Sequence, residues 1–251
     1  AGKRALVTGA TSGSGLAIAR ALREEGADIV LSGLGDQDDI AKLQEELGAD
    51  FNGANLMDPD AIAAMFEAVG PVDILVNNAG MQHRAPLEDF PADAFEQLIQ
   101  TNIASVFHVG RACAGHMINR RRGKIINIAS VQASLARPGI APYTATKGAV
   151  ANLTKGMATD WAQHGLQCNA IAPGYFDTPL NAALVADPEF SSWLEKRTPA
   201  GRWVESRNWS VRPCSSRPMR RASSTDMCST WMAASPFRCS GRSITSFDAR
   251  A

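Results

Sequence analysis

The chain has 251 residues and a mass of 26.7 kDa, with 25 basic and 25 acidic side chains and 45% hydrophobic residues. This length suffices for one large domain or two small ones. Zero net charge argues against a nucleic-acid partner or a membrane surface, and no apolar run approaches the ~18 residues that span a bilayer. The first residues lack the apolar segment of a secretion signal, and the five cysteines follow neither a disulfide nor a zinc spacing. We therefore expect a cytoplasmic protein without a bound metal.

The composition changes near residue 203. Residues 1–203 carry a net charge of −5, whereas residues 204–251 contain eight arginines, no lysine and three acids, which gives +5. The same tail holds 11 serines, no leucine and no helical or strand periodicity, so it offers little to bury. The sequence therefore predicts one domain over residues 1–203, followed by an anomalous segment, 204–251.

The hydrophobic pattern up to residue 171 alternates between strands and helices. Strands are predicted over residues 4–8, 28–32, 72–76, 124–128 and 167–171. Helices are predicted over residues 14–25, 40–47, 60–69, 102–120 and 143–164. Such alternation produces right-handed crossovers, so it predicts a mostly parallel sheet with helices on both faces. Ligands of these sheets bind beyond the carboxyl ends of the strands.

The first predicted strand runs into a glycine-rich turn, Thr8-Gly9-Ala10-Thr11-Ser12-Gly13-Ser14-Gly15. Glycines there allow a tight turn and let a pyrophosphate approach the backbone, while the next helix offers free N–H groups and a positive dipole to the anion. A glycine triplet alone is weak evidence for a nucleotide, since an ordinary turn explains it equally well. Its position between the first strand and the first helix favours a dinucleotide site.

Four motifs in chain order resemble the short-chain dehydrogenase/reductase family. They are the G-x-x-x-G-x-G turn, Asn77-Asn78-Ala79-Gly80, Tyr143-Thr144-Ala145-Thr146-Lys147, and Pro173-Gly174 with Thr178 five residues after the proline. The resemblance covers residues 3–203, and Ser14 departs from it because the family usually has Ile or Leu there. It implies a single doubly wound Rossmann domain, an α/β fold with a mostly parallel sheet of about seven strands, and a homo-oligomer, either a tetramer or a dimer.

Tyr143 and Lys147 are four residues apart in a predicted helix and therefore share one face. A phenol with a pKa of about 10 is a poor base at neutral pH, and a nearby ammonium favours its ionised form. Tyr-x-x-x-Lys alone is more typical of a packed tyrosine beside a solvated lysine. The family resemblance implies that Ser130, Tyr143 and Lys147 are the catalytic triad, and that Asn102 holds a water in the proton relay.

The resemblance also implies which residues bind the cofactor, NAD or NADP. Lys147 is expected to hold the nicotinamide ribose and Thr178 the carboxamide, while Asn55 and Leu56 flank the adenine. The full expected set is Gly9, Thr11, Ser12, Gly13, Ser14, Gly15, Gly33, Leu34, Asn55, Leu56, Asn78, Ala79, Gly80, Tyr143, Lys147, Pro173, Gly174 and Thr178.

The end of the second strand bears on the choice between NAD and NADP. An acid there holds the ribose 2′-hydroxyl of NAD, and an arginine accommodates the 2′-phosphate of NADP. The segment Ser32-Gly33-Leu34-Gly35-Asp36 has neither an arginine nor an immediate acid. Because Asp36, Asp38 and Asp39 follow closely and no cation is near, the sequence favours NAD.

Segments of the chain resemble two branches of the family. Residues 130–150, 153–181 and 188–203 resemble gluconate 5-dehydrogenases, whereas residues 28–40 and 77–90 resemble 3-hydroxybutyrate dehydrogenases. Both branches act on hydroxy acids, so the resemblance implies a small hydroxy-acid or keto-acid substrate. Gluconate and 5-keto-gluconate fit best, because 3-hydroxybutyrate dehydrogenases usually have His where Gln132 stands. The alternatives are 3-hydroxybutyrate and 2-deoxygluconate.

The candidate substrate contacts are Gln82, Arg84, Gln132 and Arg137, although solvated loop positions explain these residues equally well. An alternative of another class is a non-catalytic protein that senses NAD(P). The complete set of Ser130, Tyr143, Lys147 and Asn102 argues against it, because a pure binding protein has no use for a tyrosine phenolate.

The tail departs from the resemblance. Relatives continue after Pro199-Ala200-Gly201-Arg202-Trp203 with a helix, a last strand and a Y-V-D-G-G ending, which residues 204–251 lack. A register that starts each codon one base earlier can encode such an ending. We therefore interpret residues 204–251 as frameshifted from the family's last helix and strand; the alternative is a genuine Arg/Ser-rich extension.

Overall fold

Six parallel strands form the main sheet of the structure, a computed structural model that describes residues 2–198, 200–205 and 209. The strands are β1 (Arg4–Thr8), β2 (Asp28–Ser32), β3 (Asp50–Asn52), β4 (Ile74–Asn77), β5 (Gly123–Ile128) and β6 (Leu166–Ile171). Their order across the sheet is β3-β2-β1-β4-β5-β6. The order changes direction between β1 and β4, which is the switch point at which such sheets open a binding cleft.

Helices cover both faces of this sheet. The described helices are α1 (Gly13–Glu24), α2 (Gln37–Leu47), α3 (Pro59–Val69), α4 (Ala92–Ile99), α5 (Ser105–Asn119), α6 (Ala141–Trp161), α7 (Ala182–Val185) and α8 (Pro188–Arg197). In β1 and β4 the paired residues Leu6 and Leu75 enter one hydrophobic cluster, while the next pair, Val7 and Val76, enters the other. Alternate side chains point to opposite faces of a strand, so the near-continuous apolar runs reflect burial on both sides.

The structure confirms the doubly wound α/β fold, with several differences in its elements. The sequence pattern missed β3, because three residues are too few to show a period. The predicted helix 102–120 is the second part of a longer helical segment, in which one π-helical turn, Gln100–Ala104, joins α4 to α5. The main sheet has six strands within the described residues, whereas about seven were expected.

A second, two-stranded parallel sheet pairs β7 (Phe176–Asp177) with β8 (Val204–Glu205). Trp209 stacks on Phe176 with ring centroids 5.1 Å apart, so the described residues beyond 203 contact the domain. The frameshift interpretation falls almost wholly on residues 206–251, which, Trp209 apart, lie outside the described residues, and it stays a prediction. Among the helices of the described segments, none combines the length and apolar character needed to cross a membrane.

Candidate active site

A cleft of about 420 Å³ opens at the carboxyl ends of β1, β4 and β5. All four motifs meet there, although they are far apart in sequence. Of the eighteen residues expected to bind the cofactor, all except Gly15 line the cleft, and Ser130 lines it too. The remaining lining residues are Ala54, Met57, Met81, Thr101, Ser105, Ile128, Ala129, Phe176, Pro179, Leu180 and Asn181.

The glycine-rich turn is built around contacts that admit no side chain. Gly9 has φ +61°, and a Cβ added to it would lie 2.8 Å from the Cα of Ala79. A Cβ on Gly15 would lie 2.1 Å from the Gly9 carbonyl oxygen and 2.5 Å from Nδ2 of Asn78. Gly15 therefore acts behind the cleft surface: it lets α1 begin directly against the turn.

The start of α1 differs from the starts of α2, α3 and α8. Asp36, Asp58 and Asp187 cap those three helices by accepting hydrogen bonds from first-turn N–H groups. Ser12, the N-cap of α1, makes no such side-chain bond, and the first turn of α1 has no acidic residue. The N-terminus of α1 therefore presents uncapped N–H groups and its positive dipole to the cleft. This arrangement fits the pyrophosphate of a dinucleotide.

Thr8 and Asn78 hold the turn against the loop after β4. The Thr8 hydroxyl oxygen accepts hydrogen bonds from the backbone N–H groups of Asn78 (3.0 Å) and Ala79 (3.1 Å). The side-chain amide of Asn78 donates in return to the carbonyl oxygens of Thr8 (3.0 Å) and Gly9 (3.1 Å). The two motifs thus form one rigid wall of the cleft.

Ser130, Tyr143 and Lys147 come together on the opposite wall. Ser130 follows β5, and its hydroxyl oxygen accepts a hydrogen bond from the backbone N–H of Gln132 at 3.2 Å. That bond leaves the hydroxyl proton of Ser130 free, and Ser130 and Tyr143 line the same cleft. The ammonium of Lys147 lies 5.8 Å from the centre of the Tyr143 ring and donates to the Ile128 carbonyl oxygen at 2.8 Å.

Burial dominates the ionisation of both α6 side chains. Burial raises the pKa of Tyr143, while the hydrogen bond from Ser130 and the positive charges of Arg84 and Arg137 oppose that rise. Burial lowers the pKa of Lys147 to about 8. Removal from water therefore outweighs the positive charges of Arg84 and Arg137 at the phenol. The expectation that Lys147, helped by a cationic nicotinamide, favours the phenolate stays a prediction.

Asn102 lies behind the cleft, in the π-helical turn. Its side-chain oxygen accepts from the Met81 N–H at 2.9 Å, and its side-chain nitrogen donates to the Met81 carbonyl at 3.0 Å and to the Thr146 hydroxyl at 3.1 Å. Gly80 separates it from Lys147: a Cβ on Gly80 would lie 3.2 Å from Oδ1 of Asn102 and 3.6 Å from Nζ of Lys147. The side chain of Asn102 thus ties the loop after β4 to α6.

The four candidate substrate residues cluster beside Tyr143. A smaller pocket of about 50 Å³ is lined by Gln82, Gln132 and Arg137 together with Ser130 and Tyr143. Arg84 adjoins it and donates from Nη2 to the Gln82 side-chain oxygen (3.0 Å) and to the Leu180 carbonyl (3.2 Å). Burial lowers the pKa of Arg84, and the positive charge of Arg137 lowers it further, so the two guanidinium groups are near neighbours.

Sequence reasoning missed the aromatic residues that support this pocket. Tyr175 accepts a hydrogen bond from Nε2 of Gln132 at 3.0 Å, and its ring lies edge-on to Phe190 (5.7 Å) and Trp203 (6.0 Å). The guanidinium of Arg137 stacks over Phe190 at 5.4 Å. The position of Tyr175, directly after the Pro173-Gly174 motif, was the available signal. Its partners on α8 and beyond could not be found from sequence spacing.

The end of β2 differs from the sequence argument in one respect. The Asp36 carboxylate accepts from the N–H groups of Asp38 (2.9 Å) and Asp39 (3.3 Å) as the cap of α2. The cleft there is lined by Gly33 and Leu34, and Asp36 is absent from the lining. Asp36, which the sequence argument used in favour of NAD, therefore caps α2 instead of lining the cleft.

Comparisons with known proteins agree with this geometry. The short chain dehydrogenase family model matches residues 3–189. A gluconate 5-dehydrogenase of Gluconobacter oxydans is 56% identical over 210 residues, covering 80% of this chain and 82% of the relative. A 5-keto-D-gluconate 5-reductase of Escherichia coli is 44% identical over 211 residues, covering 81% and 83%. The crystal structure of a gluconate 5-dehydrogenase from Burkholderia cenocepacia in complex with NADP and tartrate has a TM-score of 0.78 and 52% identity, covering 82% of this chain and 84% of that one.

Proposed function

The chain belongs to the short-chain dehydrogenase family and is an NAD(P)-dependent oxidoreductase, and from this premise we propose that it interconverts gluconate and 5-keto-gluconate. The observation that supports this substrate is the pair of guanidinium groups beside the catalytic tyrosine. No acidic side chain in the described segments forms an ion pair with Arg84 or Arg137. Two cations beside Tyr143 that lack a carboxylate partner in the described segments favour an anionic substrate, and a carboxylate matches the fork of a guanidinium.

In the proposed reaction Tyr143 exchanges a proton with the reacting oxygen. During reduction its phenol donates the proton that turns the carbonyl into a hydroxyl, and during oxidation the phenolate removes it. Ser130 donates a hydrogen bond to the same oxygen as negative charge develops there. A bound nicotinamide dinucleotide supplies or accepts the hydride.

The cleft offers a consistent set of contacts for that cofactor. The uncapped start of α1 would hold the pyrophosphate, with Gly13 and Ser14 close to it. Asn55 and Leu56 would flank the adenine, and Lys147 would hold the nicotinamide ribose. Thr178 lines the same cleft and would hold the carboxamide.

We propose NAD as the preferred cofactor. None of the cleft-lining residues at the end of β2 and in the loop after β3 is basic, so the described part of the cleft offers no cation to a 2′-phosphate. The NADP in the Burkholderia structure argues the other way. The proposal is tested by dividing kcat/KM measured with NADH by kcat/KM measured with NADPH. A ratio above one supports NAD as the preferred cofactor.

We also propose that the protein is a cytoplasmic homotetramer. Phe95 on α4 and Phe107 on α5 are 40% and 42% exposed, and contact with another subunit would remove both rings from water. Light scattering of the purified chain should give four times the monomer mass, and a monomer would contradict it.

The experiment that tests the activity follows NADH and NADPH absorbance with purified protein and 5-keto-gluconate, acetoacetate and 2-deoxy-5-keto-gluconate. The highest kcat/KM is expected for 5-keto-gluconate. Preference for acetoacetate would move the assignment to 3-hydroxybutyrate, and cofactor binding without turnover of any of these would favour a sensing role.

A further inference from the structure

The small pocket beside Tyr143 contains an acceptor that lacks a donor. Gln132 is only 6% exposed, and its Nε2 already donates to the Tyr175 hydroxyl at 3.0 Å. Its Oε1 is shielded from solvent and accepts no hydrogen bond within the described residues. A buried carbonyl oxygen without a donor is unfavourable, and a ligand that donates a hydrogen bond to it would remove that cost.

Two hydrogen bonds hold Gln132 in this pocket. Its backbone N–H is bound to the Ser130 hydroxyl, and Tyr175 holds the far end of the side chain. Tyr175 is in turn packed between Phe190 and Trp203. The side-chain amide of Gln132 therefore lies in a pocket whose other walls include Ser130 and Tyr143, the two groups that the proposed function assigns to the reacting oxygen.

We propose that Gln132, positioned by Tyr175, accepts a hydrogen bond from a substrate hydroxyl on a carbon next to the reacting carbonyl, so that the enzyme selects α-hydroxy ketones. This inference rests on the proposed function, because it assumes that Tyr143 and Ser130 bind the reacting oxygen. The pocket of about 50 Å³ has room for a few heavy atoms, such as a hydroxymethyl group. A methyl group fits the same space but leaves Oε1 without a donor.

The residues divide the recognition of a hydroxy acid into two parts. Arg84 and Arg137 offer donors only, so they suit the carboxylate. Gln132 Oε1 offers an acceptor only, so it suits a hydroxyl and would repel a carboxylate oxygen. A substrate with both groups satisfies both parts, whereas acetoacetate satisfies only the first.

The test uses levulinate and 5-hydroxylevulinate, two keto acids that differ by one hydroxyl next to the carbonyl. Dissociation constants are measured by calorimetry with enzyme saturated with oxidised cofactor, so no turnover is needed. We expect the wild type to bind 5-hydroxylevulinate about 30-fold more tightly than levulinate. In Gln132→Met, which keeps the side-chain length, the ratio should fall below about threefold with levulinate binding unchanged.

Tyr175→Phe is the second variant, because it keeps the aromatic packing and removes only the hydroxyl that holds Gln132. It should reduce the same ratio to an intermediate value and leave the affinity for NADH unchanged. A wild-type ratio near one, or a ratio in Tyr175→Phe and Gln132→Met equal to that of the wild type, overturns the proposal. The test measures binding alone. Failure to reduce 5-keto-gluconate would therefore refute the proposed function without changing the measured ratio of dissociation constants.

Discussion

The two halves of the cleft are built in different ways. The half proposed to bind the cofactor, hereafter the cofactor half, contains Gly9–Gly15, Gly33–Leu34 and Asn55–Leu56; it is made of backbone that packs closely and has few side chains in it. The half proposed to bind the substrate, hereafter the substrate half, contains Gln82, Arg84, Gln132, Arg137 and Tyr175; its long polar side chains hold one another. A shared cofactor can be bound by backbone geometry, whereas substrate choice depends on side chains that can be exchanged.

This difference predicts how each half responds to substitution. Changes in the cofactor half should act through sterics and reduce cofactor binding for every substrate. Changes in the substrate half should leave cofactor binding intact and alter affinity for one substrate relative to another. Tyr143 and Lys147 lie where the halves meet, and their variants should show the largest effects.

Tyr143→Phe should lower kcat by about a thousandfold, because the proton donor is lost while the ring still fills its site. The dissociation constant for NADH, followed by fluorescence, should stay within about twofold. If the variant keeps a near-normal kcat, Tyr143 is not the proton donor, and the cleft could then be interpreted only as a binding site.

Lys147→Met should abolish most activity but stabilise the protein without cofactor at pH 7, by up to about 3 kcal/mol. The reason is that the folded-state pKa of Lys147, about 8, is below its ordinary value of 10.5. The folded protein binds fewer protons than the unfolded chain between these values, so wild-type stability rises with pH in that window. Unfolding by urea at pH 7 and pH 10 should show the advantage of the variant shrinking as pH rises.

Lys155→Met is the control, because this lysine is exposed on the same helix, α6. It should change stability by less than about 0.5 kcal/mol at either pH. An equal effect of both variants would mean that burial of Lys147 is not the cause.

Gly15→Ala should weaken cofactor binding about a hundredfold, since its Cβ would lie 2.1 Å from the Gly9 carbonyl oxygen. Gly156→Ala is the matched control: this glycine is also helical, but its added Cβ meets nothing within 4 Å. The control should raise stability by about 0.5–1 kcal/mol through helix propensity. If both variants bind NADH normally, the tight turn is not needed for the cofactor half.

Arg84→Met should raise KM for 5-keto-gluconate about tenfold with a smaller change in kcat, because a carboxylate contact is lost. The positive charge of Arg84 also opposes the rise in the pKa of Tyr143. Its removal should therefore move the pH profile of gluconate oxidation to higher pH. Arg84→Lys should restore the pH profile while recovering only part of the affinity. A change in NADH affinity in either variant would contradict the separation of the two halves.

The cofactor half could be predicted from the sequence far better than the substrate half. The glycine turn and the segment Asn77-Asn78-Ala79-Gly80 are each an uninterrupted run of residues at the end of a strand. Local sequence patterns therefore suffice to find them. Tyr175, Phe190 and Trp203 meet only after folding, and no spacing links them. The direction of the pKa change at Tyr143 was also out of reach, because it depends on burial, which the sequence does not show.

The clamp formed by Asn102 has a practical consequence for protein engineering. Its side-chain amide hydrogen-bonds to both backbone groups of Met81 and to the Thr146 hydroxyl. These bonds align the loop after β4 with α6, and no residue of α7 or α8 takes part in them. Libraries that randomise residues 180–197 can therefore be screened for new ketones while the chemistry stays in place. Insertions beside Met81 should inactivate the enzyme whatever ketone is offered.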